Sequence, residues 1–310
     1  MKYFYKNNSF IIGAFTIIIA ATLWSLDGTL IRPNLYEIPA LNVVFMEHLF
    51  WAILLSPFIF WGWSRIKKMS KRSFWSLLWV SVFGGLLGTL MITEAYFAAF
   101  RGETTLSTVI ILQKLQPIFA LFLAGVLLKE KLTLRFYIFA GVAIFSAYMI
   151  AYGSLQSDMW SIDLKNNAAL FAFLAAFAFW SSTVFWKQLV SELGFRVSTA
   201  LRFLLTTFLA WWAIFIFGDF MSLWSLSSFH TQLFILIACT SWAGALFLYY
   251  YGLKKVAASN ATIFELAWPL SWVFFDWYFN GSILNMTQIS FSLLLLICFF
   301  VIISDKKRIN

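Results

Sequence analysis

The sequence predicts an all-α membrane protein of ten transmembrane helices, arranged as two inverted five-helix repeats. Three observations predict it: a composition too apolar for water, apolar blocks of membrane-spanning length, and matching motifs in the two halves of the chain. Hydrophobic residues make up 62% and charged residues 11% of the 310 positions, whereas soluble domains carry about half and about a quarter. Mean hydropathy is +0.85. A water-soluble fold is excluded.

The apolar blocks run over 10–31, 40–62, 74–100, 104–128, 134–152, 167–190, 197–217, 232–253, 257–279 and 285–304. Each is near the roughly 20 residues that cross a hydrocarbon core of about 30 Å. Backbone groups in lipid must bond internally, and the blocks lack the period-2 alternation of barrel strands, so they are read as helices. In the first block, Lys2 and Lys6 before an apolar run from Phe10 superficially match a secretory signal. The run continues past Trp24 into Asp27-Gly28 and has a counterpart later in the chain, so it is read as span 1. Gly13, Gly84-Gly85, Gly88 and Gly244 are read as close helix contacts. Spans 4 and 9 contain Pro117 and Pro269, which either act as hinges or only kink their helices.

The connectors supply the orientation. With the N-terminus inside, 17 of the 22 Lys and Arg fall on the cytoplasmic side, three (Arg32, Arg101 and Lys165) on the opposite side, and two (Lys114 and Arg202) within spans. That asymmetry predicts both termini in the cytoplasm of a bacterial-type inner membrane. The formal charge of +9 is scattered over short connectors, so nucleic acid is not expected as a partner. Cys239 and Cys298 lie in apolar blocks without metal-ligand spacing and are read as packing residues, and neither a metal nor any other cofactor is expected. His230 is read as a loop residue.

The longest outer connector, 153–166, contains Asp158 and Asp163 and divides the chain into a first repeat, 1–153, and a second, 154–310. "AATLWSLDGTL" in span 1 answers "AFAFWSSTVFW" in span 6, with Trp24 and Trp180 at corresponding places. Glu47-His48 in span 2 faces "ALRFLLTTFLA" in span 7, and Pro117 and Pro269 mark spans 4 and 9. Five spans per copy is odd, so the second copy enters the membrane upside down. Inverted repeats are common in secondary transporters, which hold substrate near the midplane between the halves.

At these motifs the chain resembles the drug/metabolite transporter superfamily, in particular its EamA-type ten-span transporters. The strongest local likeness is "LQPIFALFLAGVLLKEKLTLRFYIFAGVAIFSAYMIAYG", with Glu130 and Gly141 at family positions; Arg202-Phe203 and "YYYGLKKVAASNAT" also fit. The resemblance covers essentially the whole chain and implies a ten-helix metabolite carrier. Two features depart from it: Trp24-Ser25 and Trp180-Ser181 stand where the family often has Trp-Gly, and Glu47-His48 where it often has Arg-Phe.

Ionisable groups inside spans carry most of the functional information, since each costs about 2.5–3.5 kcal/mol at a helix centre on insertion scales. Asp276 and Arg202 sit near span ends and are expected to reach water by snorkelling. Glu47, Glu94, Lys114 and Glu265 lie deeper. Lys114 either pairs with Glu47 or Glu94 as a structural link, or these groups line a cavity in which Glu47 and Glu265, one from each half, contact a substrate amine or take up a proton, with Lys114 as counter-charge or carboxylate contact. His48 is a candidate proton relay or a packing residue. Four acids against two bases in the spans predict a mildly acidic cavity suited to cationic or zwitterionic solutes. Trp24, Tyr96, Trp180, Tyr249 and Trp268 are candidate aromatic walls.

These features predict a secondary transporter that moves small metabolites, such as amino acids or amines, by alternating access. Its expected partners are a small-molecule substrate, membrane lipids and protons. A lipid or polyprenyl flippase is the alternative. A membrane-embedded enzyme ranks below both, because the chain has short loops, two histidines and neither HExxH nor a clustered aspartate motif, and without a phosphate-binding GxxxxGK[ST] loop ATP hydrolysis is not expected.

Overall fold

The computed structural model describes residues 2–117, 133–152, 167–218, 220–224, 226–281 and 283–304. Glu130, the end of span 4, and the 153–166 connector with Asp158 and Asp163 lie outside the described residues. All regular structure among the described residues is helical.

Among the described residues, eight helical stretches are long and apolar enough to cross a bilayer. The first is α1 (Lys2–Leu26), extended by a π segment, Asp27–Ile31, and a 3-10 turn, Arg32–Asn34. Helix α2 (Ala40–Trp61) starts after Pro39, and the short α3 (Trp63–Lys67) follows it. Helices α4 (Lys71–Trp79) and α5 (Gly88–Phe100) are joined through a π segment, Val80–Leu87. Ser70 caps α4 by accepting from the Ser73 amide.

Helix α6 (Leu106–Gln113) is capped by Thr105, and α7 spans Leu134–Tyr152. Helices α8 (Asn167–Leu193) and α9 (Phe195–Phe217) meet at Gly194, whose φ of 78° permits the reversal between them. Helices α10 (Ser228–Ile237) and α11 (Ala243–Leu253) are joined by a third π segment, Ala238–Trp242. His230 sits in the first turn of α10, where its amide donates to the Ser227 cap, rather than in a loop. The chain continues through α12 (Ala258–Phe264) and α13 (Ala267–Asn280) to α14 (Met286–Ser304).

Two proline-bearing helices are interrupted at equivalent places. A turn at Lys114-Leu115 ends α6 just before Pro117, and a turn at Glu265-Leu266 separates α12 from α13 just before Pro269. Proline has no amide hydrogen, and its ring crowds the carbonyl four residues earlier. Those carbonyls belong to Gln113 and Glu265. The Glu265 carbonyl accepts instead from the Trp268 amide at 3.0 Å.

Helix α1 packs on α11 and α13, α8 on α5 and α6, α2 on α9, and α7 on α14. Small residues mark the tightest crossings: a Cβ on Gly252 would lie 2.7 Å from the Gly13 carbonyl oxygen, so α1 and α11 touch backbone to backbone. Trp51 stacks on Phe203 at 6.0 Å and donates its indole N–H to the Ala238 carbonyl. Phe15, Ile53, Phe208, Phe215, Leu293 and Phe300 point outward, as lipid solvation requires. Cys298 is buried as a packing residue, but Cys239 is exposed, because the α10–α11 π segment turns it away from the bundle.

Candidate substrate cavity

The interrupted helices and the π segments of α1 and α4–α5 surround a central cavity of about 880 Å³, counting its open mouth. That falls within the usual range for small-molecule sites. Interrupting a helix inside a membrane is tolerated where the freed backbone faces protein or a cavity. Here the breaks carry Lys114 and Glu265 to the lining.

One wall is aromatic. Tyr96 stacks on Trp268 with ring centroids 6.4 Å apart and planes 23° off parallel, and the Lys114 ammonium lies 5.0 Å above the Trp268 ring. Trp24 packs against Tyr249 at 5.3 Å, and Phe179 and Tyr250 also reach the lining. Behind them Tyr250 stacks on Trp186 at 3.6 Å, which fixes its ring.

The polar groups are held by specific bonds. Glu265 accepts from the Tyr249 hydroxyl at 2.6 Å on Oε1 and from the Gln116 amide at 2.8 Å on Oε2, so both of its oxygens are occupied. The Tyr96 hydroxyl donates to Gln113 Oε1 at 3.3 Å. Arg202 donates from one terminal nitrogen to the Gly84 carbonyl at 3.0 Å. Its Nε and Nη1 have no hydrogen-bond partner among the described residues. Its guanidinium sits between the rings of Phe203 and Tyr250, 5.6 Å from each.

A second charged group borders the cavity. Arg32 donates from Nη2 to Asp27 Oδ2 and to Glu47 Oε1, both at 2.8 Å, and from Nη1 to Thr93 Oγ1 at 2.9 Å. Asp27 and Arg32 reach the lining, whereas Glu47 stands behind Arg32. The π segment at Asp27–Ile31 brings Asp27 and Arg32, five residues apart, to the same ion pair.

Of the residues singled out from sequence, Lys114, Glu265, Trp24, Tyr96, Tyr249 and Trp268 come together around this space. Glu47, Glu94, His48 and Trp180 do not line it. Glu94 is half-buried on α5, with Arg101 and Glu103 as its charged neighbours. His48 is buried with Nδ1 2.8 Å from the Val44 carbonyl, and Trp180 packs on Phe177.

Three expectations are corrected. Glu47 pairs with Arg32 rather than with Lys114. Arg32, assigned to an outer connector, is buried, because helical turns continue past the apolar block as far as Asn34. Arg202, expected to snorkel, is buried, because α9 starts at Phe195 and Arg202 lies two turns inside it. The lining therefore carries Asp27 and Glu265 against Arg32, Lys114 and Arg202, and it is not acidic.

Sequence reasoning also passed over Gln113, Gln116, Ser182 and Thr183, which carry no charge to mark them. Among the described residues no group of three or more His, Cys, Asp or Glu is placed to hold a metal ion.

The profile of the EamA-like transporter family matches the chain twice, over residues 11–152 and 166–304. The riboflavin transporter ImpX of Fusobacterium nucleatum subsp. nucleatum is 38% identical over 292 residues, covering 92% of this chain and 95% of that protein. A crystal structure sharing 14% identity superposes with a TM-score of 0.69 over 95% of this chain and 96% of its own, which shows a common fold. The chain belongs to the EamA-like transporter family and is a multi-pass membrane transporter, not an enzyme.

Proposed function

We propose that this protein is a secondary transporter of riboflavin or a chemically close flavin, working by alternating access across a bacterial inner membrane with both termini in the cytoplasm. The observation that carries the reading is near-full-length similarity to a riboflavin transporter, at 38% identity. The cavity supports it chemically. A flavin is a flat, uncharged tricyclic ring with a hydroxylated side chain, and it needs aromatic faces together with donors for its ring carbonyls. Tyr96, Trp268, Trp24 and Phe179 offer the faces. Arg202 brings a guanidinium to the lining, and Ser182, Thr183 and Gln113 suit the hydroxyls.

We read the architecture as ten spans in two inverted five-helix repeats, 1–153 and 154–310. Helix pairing supports this. If each span corresponds to the one five later, the contact of span 1 with span 8 maps onto that of span 6 with span 3, and the contact of 1 with 9 onto that of 6 with 4. The contacts of 2 with 7 and of 5 with 10 map onto themselves. The breaks before Pro117 and Pro269 are then a related pair of hinges around the substrate. Lys114 serves as a substrate-orienting group, while Glu47 stands behind Arg32, off the lining.

Amino acids and amines fit less well. Glu265 has both oxygens engaged, and Asp27 and Glu47 already share a guanidinium. The test is flux in proteoliposomes with radiolabelled riboflavin, a panel of amino acids and polyamines, and a lipid-flip reporter. Saturable riboflavin flux, competed by other flavins, is the expected result. Saturable flux of an amino acid without riboflavin flux, or lipid flip alone, would overturn the reading.

A further inference from the structure

Beside the cavity, one guanidinium is asked to balance two carboxylates. Arg32, Asp27 and Glu47 are 4%, 3% and 0% exposed. Nη2 of Arg32 serves Asp27 Oδ2 and Glu47 Oε1 together, and Nη1 is spent on Thr93. The second oxygens, Asp27 Oδ1 and Glu47 Oε2, have no hydrogen-bond partner among the described residues.

Of the other cations on the lining, Lys114 lies over the Trp268 ring with Glu265 as its charged neighbour, and among the described residues the ion pairs of Asp27 and Glu47 are with Arg32. Tyr96, from α5, is the other ionisable side chain within electrostatic reach of Arg32 and Asp27, and in its ordinary form it is neutral. His48, next along α2, is turned toward the Val44 carbonyl and has Arg202 as its charged neighbour. Arg202 itself is bonded to the Gly84 carbonyl. With both acids ionised, the cluster buries one uncompensated negative charge, an arrangement that low-dielectric surroundings penalise strongly. One bound proton removes the imbalance, and one of the two unpartnered carboxylate oxygens takes it as a hydroxyl.

We propose that the Asp27–Arg32–Glu47 cluster is a proton-carrying site, so that this protein moves a proton together with its substrate. The inference rests on the flavin-transport reading given above. Asp27 and Arg32 reach the cavity lining and Glu47 lies behind Arg32, so the cluster exchanges its proton with cavity water while the cavity is empty. A bound flavin covers Asp27 and Arg32 and holds the proton in place during the change of access. On the far side flavin and proton both leave, and the emptied carrier returns without the proton, its cluster then solvated by cavity water. An uncharged substrate has only its own gradient to drive it, and a proton travelling in the same step adds a second. Replacing either acid by its amide leaves a balanced one-to-one pair, which has no need of the proton.

The experiment uses the full chain in proteoliposomes, with membrane potential clamped at zero and two readouts on each preparation. Riboflavin counterflow measures transport itself, and accumulation under an imposed pH difference measures coupling. With one proton per substrate, a difference of one pH unit, acid outside, drives wild-type accumulation toward about tenfold. Glu47→Gln is expected to keep counterflow within about threefold of wild type and to show no pH-driven accumulation. Glu47→Asp, which keeps the carboxylate, recovers a measurable part of it.

Wild-type counterflow without pH-driven accumulation overturns the proton site and leaves the transport reading standing. The same holds if Glu47→Gln accumulates like wild type. If Glu47→Gln and Glu47→Asp both lose counterflow, the cluster is a structural clamp and the proposal fails. Absence of wild-type counterflow overturns the transport reading and the proposal with it.

Discussion

Removing Arg32 tests the charge arrangement directly. Its side chain is buried, touches two carboxylates at 2.8 Å each, and reaches Thr93 with its remaining terminal nitrogen. Arg32→Met preserves length and apolar stem but strands Asp27 and Glu47 in the bundle with no cation in bonding distance. Breaking a buried pair in this way costs about 3–5 kcal/mol, or roughly two to four orders of magnitude in the folded-to-unfolded ratio.

Replacing the whole cluster by apolar residues of similar volume (Arg32→Met, Asp27→Leu and Glu47→Met) is expected to recover most of that loss, because such replacements are often neutral or stabilising by about 1–4 kcal/mol. The assay is the midpoint of SDS-induced unfolding of the purified protein in mixed micelles, followed by circular dichroism. The expected order is wild type close to the triple variant and both well above Arg32→Met. A midpoint for Arg32→Met equal to wild type would show that the carboxylates are solvated or paired elsewhere, and would refute the buried cluster.

Three further outcomes follow from the packing. A Cβ added at Gly85 collides with Thr206 Oγ1, so Gly85→Ala is expected to lower stability by about 1–3 kcal/mol in the same unfolding assay, and Thr206→Ala in the same chain to restore most of it. Trp268→Leu removes the ring that stacks on Tyr96 and lies under Lys114, and riboflavin affinity measured by flavin fluorescence quenching should fall roughly 3- to 10-fold, whereas Trp277→Leu on the exposed face of α13 leaves it unchanged. Glu192 accepts from the Ser70 amide at 2.6 Å and from the hydroxyls of Ser70 and Ser73, tying the end of α8 to the start of α4, so Glu192→Gln should speed hydrogen exchange at Ser70–Ser73 roughly 3- to 10-fold.

Hydropathy located eight of the ten blocks closely among the described residues, because twenty apolar residues have few alternatives once lipid is the solvent. The prolines located the two breaks, because a missing amide acts locally and whatever surrounds it. Arg32 was misplaced for the opposite reason. Arg-Pro-Asn after an apolar block has the composition of a surface turn, and only the π segment before it, together with two carboxylates inside the bundle, makes burial tolerable. Arg202 was misjudged by distance from the block edge, since α9 begins two residues before the hydropathy boundary. A usable signal was present: Arg202 falls opposite Glu47 when the halves are aligned, and facing positions with opposite charge point inward more readily than two independent snorkelling groups would. The hydrogen-bonded partners Gln113, Gln116 and Thr183 left no such trace, because neutral polar residues recur in spans for packing as well as for binding.

The two halves supply similar backbone and different chemistry, and this difference bears on how the cavity works. Counting from the prolines, Gln113 and Glu265 hold the same position four residues before Pro117 and Pro269. Each accepts a hydrogen bond from a tyrosine, Tyr96 in one half and Tyr249 in the other. The first half thus presents an amide where the second presents a carboxylate, and Lys114 follows the amide where Leu266 follows the acid. Glu47 and Arg202 differ in the same way across spans 2 and 7. Matching backbone breaks allow the helices on either side of the cavity to move by comparable amounts, which alternating access requires. Unlike side chains at those breaks make the two orientations of a bound molecule unequal in energy. On the flavin reading proposed above, a flat substrate is then held one way round against the wall formed by Trp268 and Tyr96, with its acceptor edge toward Arg202.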